Sequence, residues 1–328
     1  MRVLITGSNG FVGLRTVAAA HERGWQVVGL GRAARPAGAV EHYVRHDLAQ
    51  PLARDAVPGD VDAVIHAAAL ASPFARPRDF VAANVRGTRH LLAWARDRGR
   101  LPVVHVSSTS VLYRESDQLD LTERSPVTPD AQQLNAYSRS KAVAERLVAD
   151  YDGPAAILRP RAVIGEGDTV LLPRILRLAD KGLLPVLEPR DGPRVRVDLT
   201  DVGTVAEYLV RAVERRTHGV YNLTNAQPVE LYPFALALLA RVGLTPRLRR
   251  VPPSLAHTAA RAGEWVCAHL LDHREPPLTT FGVSALSRSR TFDVTTTLRD
   301  LGTPAVPLEL GVDRLVADWS AQRAGTNA

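Results

Sequence analysis

The stretch TGSNGFVG at residues 6–13 decides the fold of this chain. The apolar run RVLIT at residues 2–6 leads into the glycines and is typical of a buried β-strand. The segment LRTVAAAHERG at residues 14–24 follows with the apolar spacing of a helix, and WQVVGLG at residues 25–31 indicates a second strand. The glycines therefore lie at a strand-to-helix turn in a βαβ unit of about 30 residues, the setting of a dinucleotide site.

Each glycine of this turn has a physical role. Gly7 permits the tight turn, Gly10 lets a pyrophosphate approach the backbone, and Gly13 lets the helix pack close to the strand. The helix that follows points its free N–H groups at the phosphates. We therefore expect a bound dinucleotide here, and a glycine-rich turn without a ligand is the alternative.

The residues after the second strand indicate which dinucleotide binds. A carboxylate about 20 residues after the turn would bind the ribose 2′-hydroxyl of NAD. This chain has Arg32 and Arg35 in that region and no carboxylate. A guanidinium fork matches a 2′-phosphate, so we expect NADP(H) in preference to NAD(H), the alternative being that Arg32 faces solvent. Asp47 is expected to contact the adenine amino group.

Composition excludes several classes of protein. With 45% hydrophobic and 23% charged residues, the 328-residue chain is typical of a globular protein with two lobes. The single cysteine, Cys267, excludes an internal disulfide and a cysteine-based zinc cluster, so we expect no metal and a cytoplasmic setting. No apolar run reaches the roughly 18 residues of a membrane span. The net charge of +7 comes from scattered arginines, so we expect no nucleic-acid partner.

Strands continue to alternate with helices after the first unit. Apolar runs predict strands at residues 61–69, 102–107 and 155–159, and helical patterns cover residues 80–98 and 136–150. This alternation predicts an α/β fold, a Rossmann-type doubly wound parallel sheet. Ligands of such sheets bind at the carboxyl ends of the strands. The residues expected at those ends are Gly7, Ala67, Ser107 and Arg159.

The pattern loosens after about residue 165, where proline and glycine become frequent. Residues 1–165 are therefore predicted to form the dinucleotide-binding domain, with segments at about 195–226 returning to its sheet. Residues 166–194 and 227–328 are predicted to form a smaller, mainly helical substrate cap. Apolar cap residues favour an apolar substrate. They are Leu171, Leu172, Leu183, Leu184 and Leu236.

The motif NAYSRSK at residues 135–141 carries the chemistry. Only two of the 41 basic residues are lysines, and one of them, Lys141, follows Tyr137 by four positions on a predicted helix. A nearby ammonium favours the phenolate, and lowering a tyrosine pKa by about three units corresponds to roughly 4 kcal/mol. The phenol then becomes a useful acid/base near neutral pH. A surface pair without function is the alternative.

Four hydroxyl residues, at 107–110, end the strand predicted at residues 102–107. One of them is expected to hydrogen-bond the substrate oxygen beside Tyr137, although serine and threonine are also common in turns.

Together these motifs resemble the extended short-chain dehydrogenase/reductase family, which includes the NAD(P)-dependent epimerase/dehydratases. The T-G-x-x-G-x-x-G turn matches residues 6–13 and Y-x-x-x-K matches residues 137–141. The family has a Ser/Thr three residues before a Val-Tyr-Gly motif, which places Thr109 as the catalytic hydroxyl. The segments at 277–279, 292–293 and 299–302 are similar to the 3β-hydroxysteroid dehydrogenase-like branch.

The resemblance implies hydride transfer between nicotinamide C4 and a carbinol carbon. Tyr137 would protonate the ketone oxygen, Lys141 would tune it and hold the ribose, and Thr109 or Ser108 would orient the substrate. The candidate cofactor-binding residues are Gly7, Asn9, Gly10, Phe11, Val12, Gly13, Arg32, Arg35, Asp47, Leu48, Ala67, Ala68, Ala69, Lys141, Pro160 and Val163.

The sequence hypothesis is an NADP-dependent ketoreductase or alcohol dehydrogenase acting on a largely apolar ketone or alcohol. Two alternatives stay open, a sugar-nucleotide 4-epimerase and a non-catalytic NADP-binding redox sensor. Dehydration is disfavoured because the family's dehydratases carry Asp-Glu where this chain has Ser110 and Val111. The sequence leaves the oligomeric state open, and a homodimer through helices 80–98 and 136–150 is one hypothesis.

Overall fold

The computed structural model describes residues 1–72, 74–168, 171–179, 182–188 and 193–326. The side chain of Leu171, one of the predicted cap leucines, lies outside this description.

The described chain contains fifteen strands and eleven α-helices. The strands are β1 (Arg2–Thr6), β2 (Gln26–Gly31), β3 (His42–Arg45), β4 (Ala63–His66), β5 (Val103–Val106), β6 (Gln118–Leu121), β7 (Ala155–Pro160), β8 (Val163–Ile164), β9 (Leu183–Val186), β10 (Arg196–Val197), β11 (Thr200–Asp201), β12 (Gly219–Leu223), β13 (Val229–Glu230), β14 (Arg247–Arg250) and β15 (Arg290–Phe292). The helices are α1 (Phe11–His21), α2 (Pro77–Phe80), α3 (Gly87–Asp97), α4 (Ala136–Ala149), α5 (Leu171–Ala179), α6 (Val202–Glu214), α7 (Leu231–Arg241), α8 (Pro253–Leu270), α9 (Thr280–Ser287), α10 (Thr295–Leu301) and α11 (Leu308–Thr326).

Seven of the described strands form the central sheet, in the order β12-β7-β5-β4-β1-β2-β3. Every neighbouring pair in this sheet is parallel. The chain order reverses between β1 and β4, so a crevice opens over the carboxyl ends of these two strands. The Rossmann-type doubly wound sheet predicted from the sequence is confirmed.

Helices cover both faces of the sheet because successive side chains of a strand point to opposite sides. Val3 and Ile5 of β1 pack in one core with α1 and α6. Leu4, between them, packs in a second core with α3 and α4. All three side chains are fully buried, which explains why β1 is a continuous apolar run.

Two details of the sheet differ from the sequence prediction. The segment His42–Arg45 forms β3 beside β2. Its side chains are exposed or half-exposed, and its sequence pattern did not predict a strand. In the returning segment, β12 does join the central sheet beside β7. The residues before it do not, since β10 pairs with β13 and β15, and β11 pairs with β8.

The C-terminal part of the chain builds its own hydrophobic core. Leu172 of α5, Leu184 of β9 and Leu238 of α7 are buried there with residues of α11. These leucines therefore hold the cap together and do not offer a surface to a substrate, whereas Leu183 is exposed. The sequence interpretation of Leu172 and Leu184 as an apolar substrate lining is corrected on this point. The division of the chain into two domains stays a prediction.

None of the helices among the described residues combines the length and the apolar character needed to cross a bilayer.

Candidate active site

The glycine turn has the geometry that its sequence predicts. Gly7 adopts φ +69°, and a Cβ atom there would lie 2.8 Å from Ala68 Cα. A Cβ atom at Gly13 would overlap the carbonyl oxygen of Gly7. Only glycine therefore lets α1 pack this closely against the turn.

The N-terminus of α1 is open toward the crevice. Gly10 is its N-cap residue, makes no side-chain cap and is exposed, and the first turn has no acidic residue. The first N–H groups of a helix carry a partial positive charge and need an acceptor. This turn, with Phe11 and Val12 partly exposed in it, fits a dinucleotide pyrophosphate.

The loop that carries the two arginines is tied to the glycine turn. Asn9 Nδ2 donates to the Arg35 carbonyl oxygen at 2.8 Å, and its Oδ1 accepts from the Ala37 N–H at 3.0 Å. The Tyr43 hydroxyl donates to the Ala33 carbonyl oxygen at 3.2 Å. Asn9 therefore positions this loop, with Arg32 and Arg35 exposed on it beside the turn.

Tyr43 was not predicted from the sequence, although the glycines of β2 could have indicated an aromatic ring packed against that strand. A Cβ atom at Gly31 would lie 2.8 Å from the Tyr43 hydroxyl, so the glycine makes room for that ring.

The turn after β3 carries Asp47 and Leu48. Asp47 is exposed and its Oδ1 accepts from the Ala49 N–H at 2.9 Å, while Leu48 is buried. That turn fixes the Asp47 carboxylate after β3.

The residues after β4 leave the crevice open. Ala67, Ala68 and Ala69 are partly exposed. Thr6 holds the first two, because its carbonyl oxygen accepts from the Ala67 N–H at 3.3 Å and its Oγ1 accepts from the Ala68 N–H at 3.2 Å. Small side chains at this place leave the backbone accessible to a ligand.

Helix α4 brings Tyr137 and Lys141 to one face. Asn135 caps the helix, since its Oδ1 accepts from the Ser138 N–H at 2.8 Å, so Tyr137 stands in the first turn. Lys141 stands one turn later with its side chain buried, and its Nζ donates to the Val106 carbonyl oxygen at 2.7 Å. Tyr137 remains partly exposed at the end of β5.

The two candidate hydroxyls have different surroundings. The Ser108 side chain lies near enough to the Tyr137 phenol to lower its pKa, and it is partly exposed. The Thr109 hydroxyl is buried, 3.0 Å from the Tyr113 hydroxyl, and also donates to the Pro160 carbonyl oxygen at 3.4 Å. The structure thus places Ser108, and not Thr109, where it affects the titration of Tyr137.

Burial dominates the titration of the tyrosine and the lysine. Burial raises the pKa of Tyr137 to about 12, against a lowering by the Ser108 hydrogen bond and with a further raising by Tyr113. Burial lowers the pKa of Lys141 to about 8, while Glu145 raises it. The direction for Tyr137 is opposite to the one expected from the sequence, because desolvation of the phenol prevails and the ammonium is bonded to the Val106 carbonyl.

Two buried histidines lie behind the lysine. His66 Nδ1 is 2.7 Å from Thr6 Oγ1 and its Nε2 is 3.0 Å from Thr88 Oγ1. Burial, and then the Lys141 charge, lower the pKa of His66 to about 3 and that of His105 well below its usual value. Both rings are therefore neutral and support the floor of the site. Sequence reasoning missed them, although each stands near the end of a predicted strand.

A second network fixes α4. Asn84 lies in a π-helical turn, Val81–Arg86, between α2 and α3. Its Oδ1 accepts from the Leu70 N–H at 2.7 Å and its Nδ2 donates to Ser140 Oγ at 2.9 Å. Ser140 in turn donates to the Tyr137 carbonyl oxygen at 2.7 Å. The wide π turn therefore links the loop after β4 to the helix that carries the phenol.

The remaining strand-end hydroxyls are structural. Ser107 Oγ donates to Glu145 at 2.5 Å, and Arg159 binds the same carboxylate through Nε at 2.8 Å and Nη2 at 2.6 Å. All three residues are buried, and Ser110 is buried as well. Arg159 lies inside β7, which runs on to Pro160. The Ser107–Glu145–Arg159 cluster braces α4 against the sheet.

On the other side of Thr109, the Tyr113 ring lies between two arginines. Arg290 Cζ is 4.5 Å and Arg161 Cζ 5.3 Å from the ring centroid. The Phe281 ring of α9 stacks on Tyr113 with centroids 6.3 Å apart. Neither arginine was singled out from the sequence. Val163, after them, is partly exposed.

The arrangement provides a dinucleotide cradle, a partly exposed phenol with a hydroxyl partner, and a buried ammonium one helical turn away. Among the described residues no three His, Cys, Asp or Glu side chains converge as metal ligands.

A family model described as the NAD dependent epimerase/dehydratase family matches residues 3–224. A ketoreductase of Stigmatella aurantiaca that acts on 4-hydroxy-2-methyl-3-oxo-4-farnesyl-3,4-dihydroquinoline-1-oxide is 32% identical over 92% of this chain and 91% of its own length. A 2-alkyl-3-oxoalkanoate reductase of Stenotrophomonas maltophilia is 32% identical over 98% of this chain and 100% of its own length. A 3-beta-hydroxysteroid dehydrogenase of Mycolicibacterium neoaurum is 26% identical over 92% of this chain and 86% of its own.

The fold is also found among solved structures. MoeE5 in complex with UDP-glucose and NAD superimposes with a TM-score of 0.74 at 24% identity, covering 99% of this chain and 100% of that chain.

Proposed function

The chain belongs to the NAD dependent epimerase/dehydratase family, and on that premise we propose that it is an NADP-dependent ketoreductase or alcohol dehydrogenase. Its named relatives are reductases and dehydrogenases, and it is an oxidoreductase acting on CH–OH or C=O groups. The observation that carries the proposal is Tyr137, a partly exposed residue beside Ser108 and one helical turn from Lys141.

The cofactor would be held by residues on three strand ends. Gly7, Gly10 and Gly13, with the α1 N-terminus, would hold the pyrophosphate. Ala67–Ala69 would contact the dinucleotide, and Lys141 would hold the nicotinamide ribose. Leu48, Pro160 and Val163 are the further contacts that we assign. When bound, the nicotinamide supplies or accepts the hydride.

Tyr137 is the proposed proton donor. A phenol with a pKa of about 12 is protonated at neutral pH, which is the form that donates to a ketone oxygen during reduction. Ser108, which lies beside the phenol, is the proposed hydroxyl that orients the substrate oxygen, and Thr109 then supports Tyr113. The Lys141 ammonium would stabilise the phenolate left after proton transfer.

The preference for NADP(H) rests on the loop after β2. Arg32 and Arg35 are exposed there, and Asn9 holds the loop next to the glycine turn. Guanidinium groups match a 2′-phosphate, and they provide no acceptor for the proton of a 2′-hydroxyl. Asp47 remains the proposed partner of the adenine amino group.

The substrate proposed is a ketone, or the matching alcohol, on a largely apolar molecule. The named ketoreductase relatives support a ketone. Dehydratase chemistry is not supported, because Ser110 and Val111 are buried neutral residues. A homodimer through α3 and α4 belongs to this proposal, and light scattering tests it by giving twice the chain mass.

The test is a panel of ketones and alcohols, each incubated with NADPH or NADH while the cofactor absorbance is followed. We expect ketone-dependent oxidation of NADPH, faster than that of NADH. Isomerisation of a sugar nucleotide by protein with retained cofactor, without added NADPH, would favour an epimerase. Cofactor binding without any turnover would favour a redox sensor.

A further inference from the structure

Arg161 is a buried arginine whose guanidinium has no hydrogen-bond or ion-pair partner among the described residues. It follows β7, is 8% exposed, and its Nε is enclosed without a hydrogen bond. Within the described part of the chain its guanidinium makes no ion pair and no hydrogen bond. Two residues earlier, Arg159 binds Glu145 through two nitrogens. Because a buried charge is unfavourable unless it is paired, Arg161 offers a site for an acceptor that none of the described residues supplies.

The contact that Arg161 does make leaves its donors free. Its guanidinium carbon lies 5.3 Å from the centroid of the Tyr113 ring, a cation–π contact and not a hydrogen bond. The five N–H donors point outward in the plane of that group. Arg290, on the same ring, differs because its terminal nitrogens donate to the carbonyl oxygens of Ser284 and Arg114 at 2.9 Å. Of the two arginines, Arg161 is the one free to bind a ligand.

Arg161 is close to the reaction centre. The Tyr113 hydroxyl lies 3.0 Å from Thr109 Oγ1, the residue that follows Ser108, and Ser108 lies beside the Tyr137 phenol. The strands β5 and β4 separate β7 from β1, so the glycine turn is about 14 Å away at the usual strand spacing. A group bound to Arg161 therefore belongs to the substrate and not to the cofactor pyrophosphate.

The charge around Arg161 selects a monoanion. Asp198 is near enough for Arg161 to affect its titration, yet its Oδ2 accepts from the Phe292 N–H and the two side chains form no ion pair. A single guanidinium fork matches one carboxylate through two parallel hydrogen bonds. The diphosphate of a sugar nucleotide would require more cationic donors than this one fork.

We propose that the substrate is a keto acid, with a carboxylate close to the ketone, and that Arg161 binds this carboxylate while Tyr137 protonates the ketone oxygen. The proposal rests on the ketoreductase function proposed above. It makes Arg161 a specificity-determining residue that touches the substrate. The apolar remainder of the molecule would extend past Tyr113 and Phe281.

The experiment compares a 3-oxo acid with its methyl ester at equal chain length. kcat and KM are measured with NADPH, and calorimetry measures binding of the matching 3-hydroxy acid and ester to the protein. We expect the wild-type KM and Kd to favour the acid by roughly 10- to 150-fold, the value of a charge-assisted hydrogen-bond pair. Arg161→Gln should lose this preference through KM, with the ester unchanged.

Two further variants keep the test decisive. Arg161→Lys retains the charge but not the fork, so we expect a partial preference for the acid. Arg249→Gln removes an exposed arginine of β14 and should behave as the wild type. Thermal unfolding checks each variant, and if Arg161→Gln does not fold, the lysine variant decides.

The outcomes separate this proposal from the function. Equal use of acid and ester by the wild type would overturn the keto-acid proposal and leave the ketoreductase intact. Arg161-dependent binding of the hydroxy acid without any turnover would support the carboxylate site and refute the ketoreductase. Binding of a UDP-sugar that depends on Arg161, with no binding of the acid, would overturn the proposal in favour of a diphosphate.

Discussion

Arg159 and Arg161 lie two residues apart at the end of one strand, and their surroundings differ completely. Arg159 is bound to a buried carboxylate that a serine also contacts. Arg161 is also buried, yet in the described chain it contacts the Tyr113 ring and forms no ion pair, although its charge affects Asp198. A satisfied buried charge indicates structure, whereas an unsatisfied one next to catalytic groups indicates a ligand. The comparison distinguishes Arg159, whose ion pair stabilises the fold, from Arg161, which we assign to ligand binding.

The largest expected effect is on stability, when the ion pair between Glu145 and Arg159 is broken. Glu145→Gln leaves the Arg159 charge buried without its ion pair, so we expect a loss of about 3–5 kcal/mol in the free energy of unfolding. Urea unfolding measures it.

Replacing both partners, as in the double variant Glu145→Leu with Arg159→Met, should recover most of that loss, because no lone charge remains. A single variant that loses less than about 1 kcal/mol would mean that the cluster does not brace α4.

A smaller effect is expected at Asp198, beside the unsatisfied arginine. Burial raises the pKa of Asp198 to about 6. A carboxyl whose pKa is higher in the folded state contributes stability below its ordinary pKa and loses it as pH rises through about 6, a change of about 3 kcal/mol. Asp198→Asn should therefore stabilise the protein more at pH 8 than at pH 4, as thermal unfolding at the two pH values will show. An equal change at both would contradict the assigned ionisation.

The exposed arginines come next. Arg32→Ala and Arg35→Ala should each raise the KM for NADPH roughly tenfold, since each removes a charge-assisted hydrogen bond to the 2′-phosphate. The KM for NADH should not change. Steady-state kinetics with both cofactors measure this, and an equal rise for NADH would refute the assignment of these residues to the 2′-phosphate.

The smallest expected effect is on the free energy of unfolding when Arg161 is replaced. Arg161→Gln should change the free energy of unfolding by less than about 1 kcal/mol, because the lost cation–π contact is offset by removal of an unpaired buried charge. Urea unfolding beside Glu145→Gln tests the contrast directly. A loss as large as that of Glu145→Gln would make Arg161 a structural residue.

The sequence predicted what depends on local spacing. The glycines at 7 and 13 predict the turn because a Cβ atom at either position would overlap the backbone, and the four-residue spacing of Tyr137 and Lys141 places them on one helix face. The alternation of apolar strands and helices predicted the parallel sheet in the same way. These features follow from short-range geometry, which a single sequence contains.

What depends on the folded surroundings was not predictable. The pKa of Tyr137 is raised because segments distant in sequence bury the phenol. The choice between Ser108 and Thr109 depends on which way each side chain points from the turn after β5, and Thr109 points toward Tyr113. The lack of a partner for Arg161 is visible only when every neighbouring strand is in place. The short strand β3 formed without an apolar pattern because its edge position requires little burial.

The central claim is that the Tyr137 phenol gives the proton to the substrate, and Tyr137→Phe under single-turnover conditions tests it most directly. The variant keeps the ring and removes the hydroxyl, and Tyr151→Phe, whose hydroxyl donates to the Leu101 carbonyl at 2.9 Å away from the site, is the matched control. We predict unchanged NADPH binding, a rate of ketone reduction lower by roughly 10²- to 10⁴-fold, and normal turnover in the control. Ketone reduction at the wild-type rate by Tyr137→Phe would contradict the account.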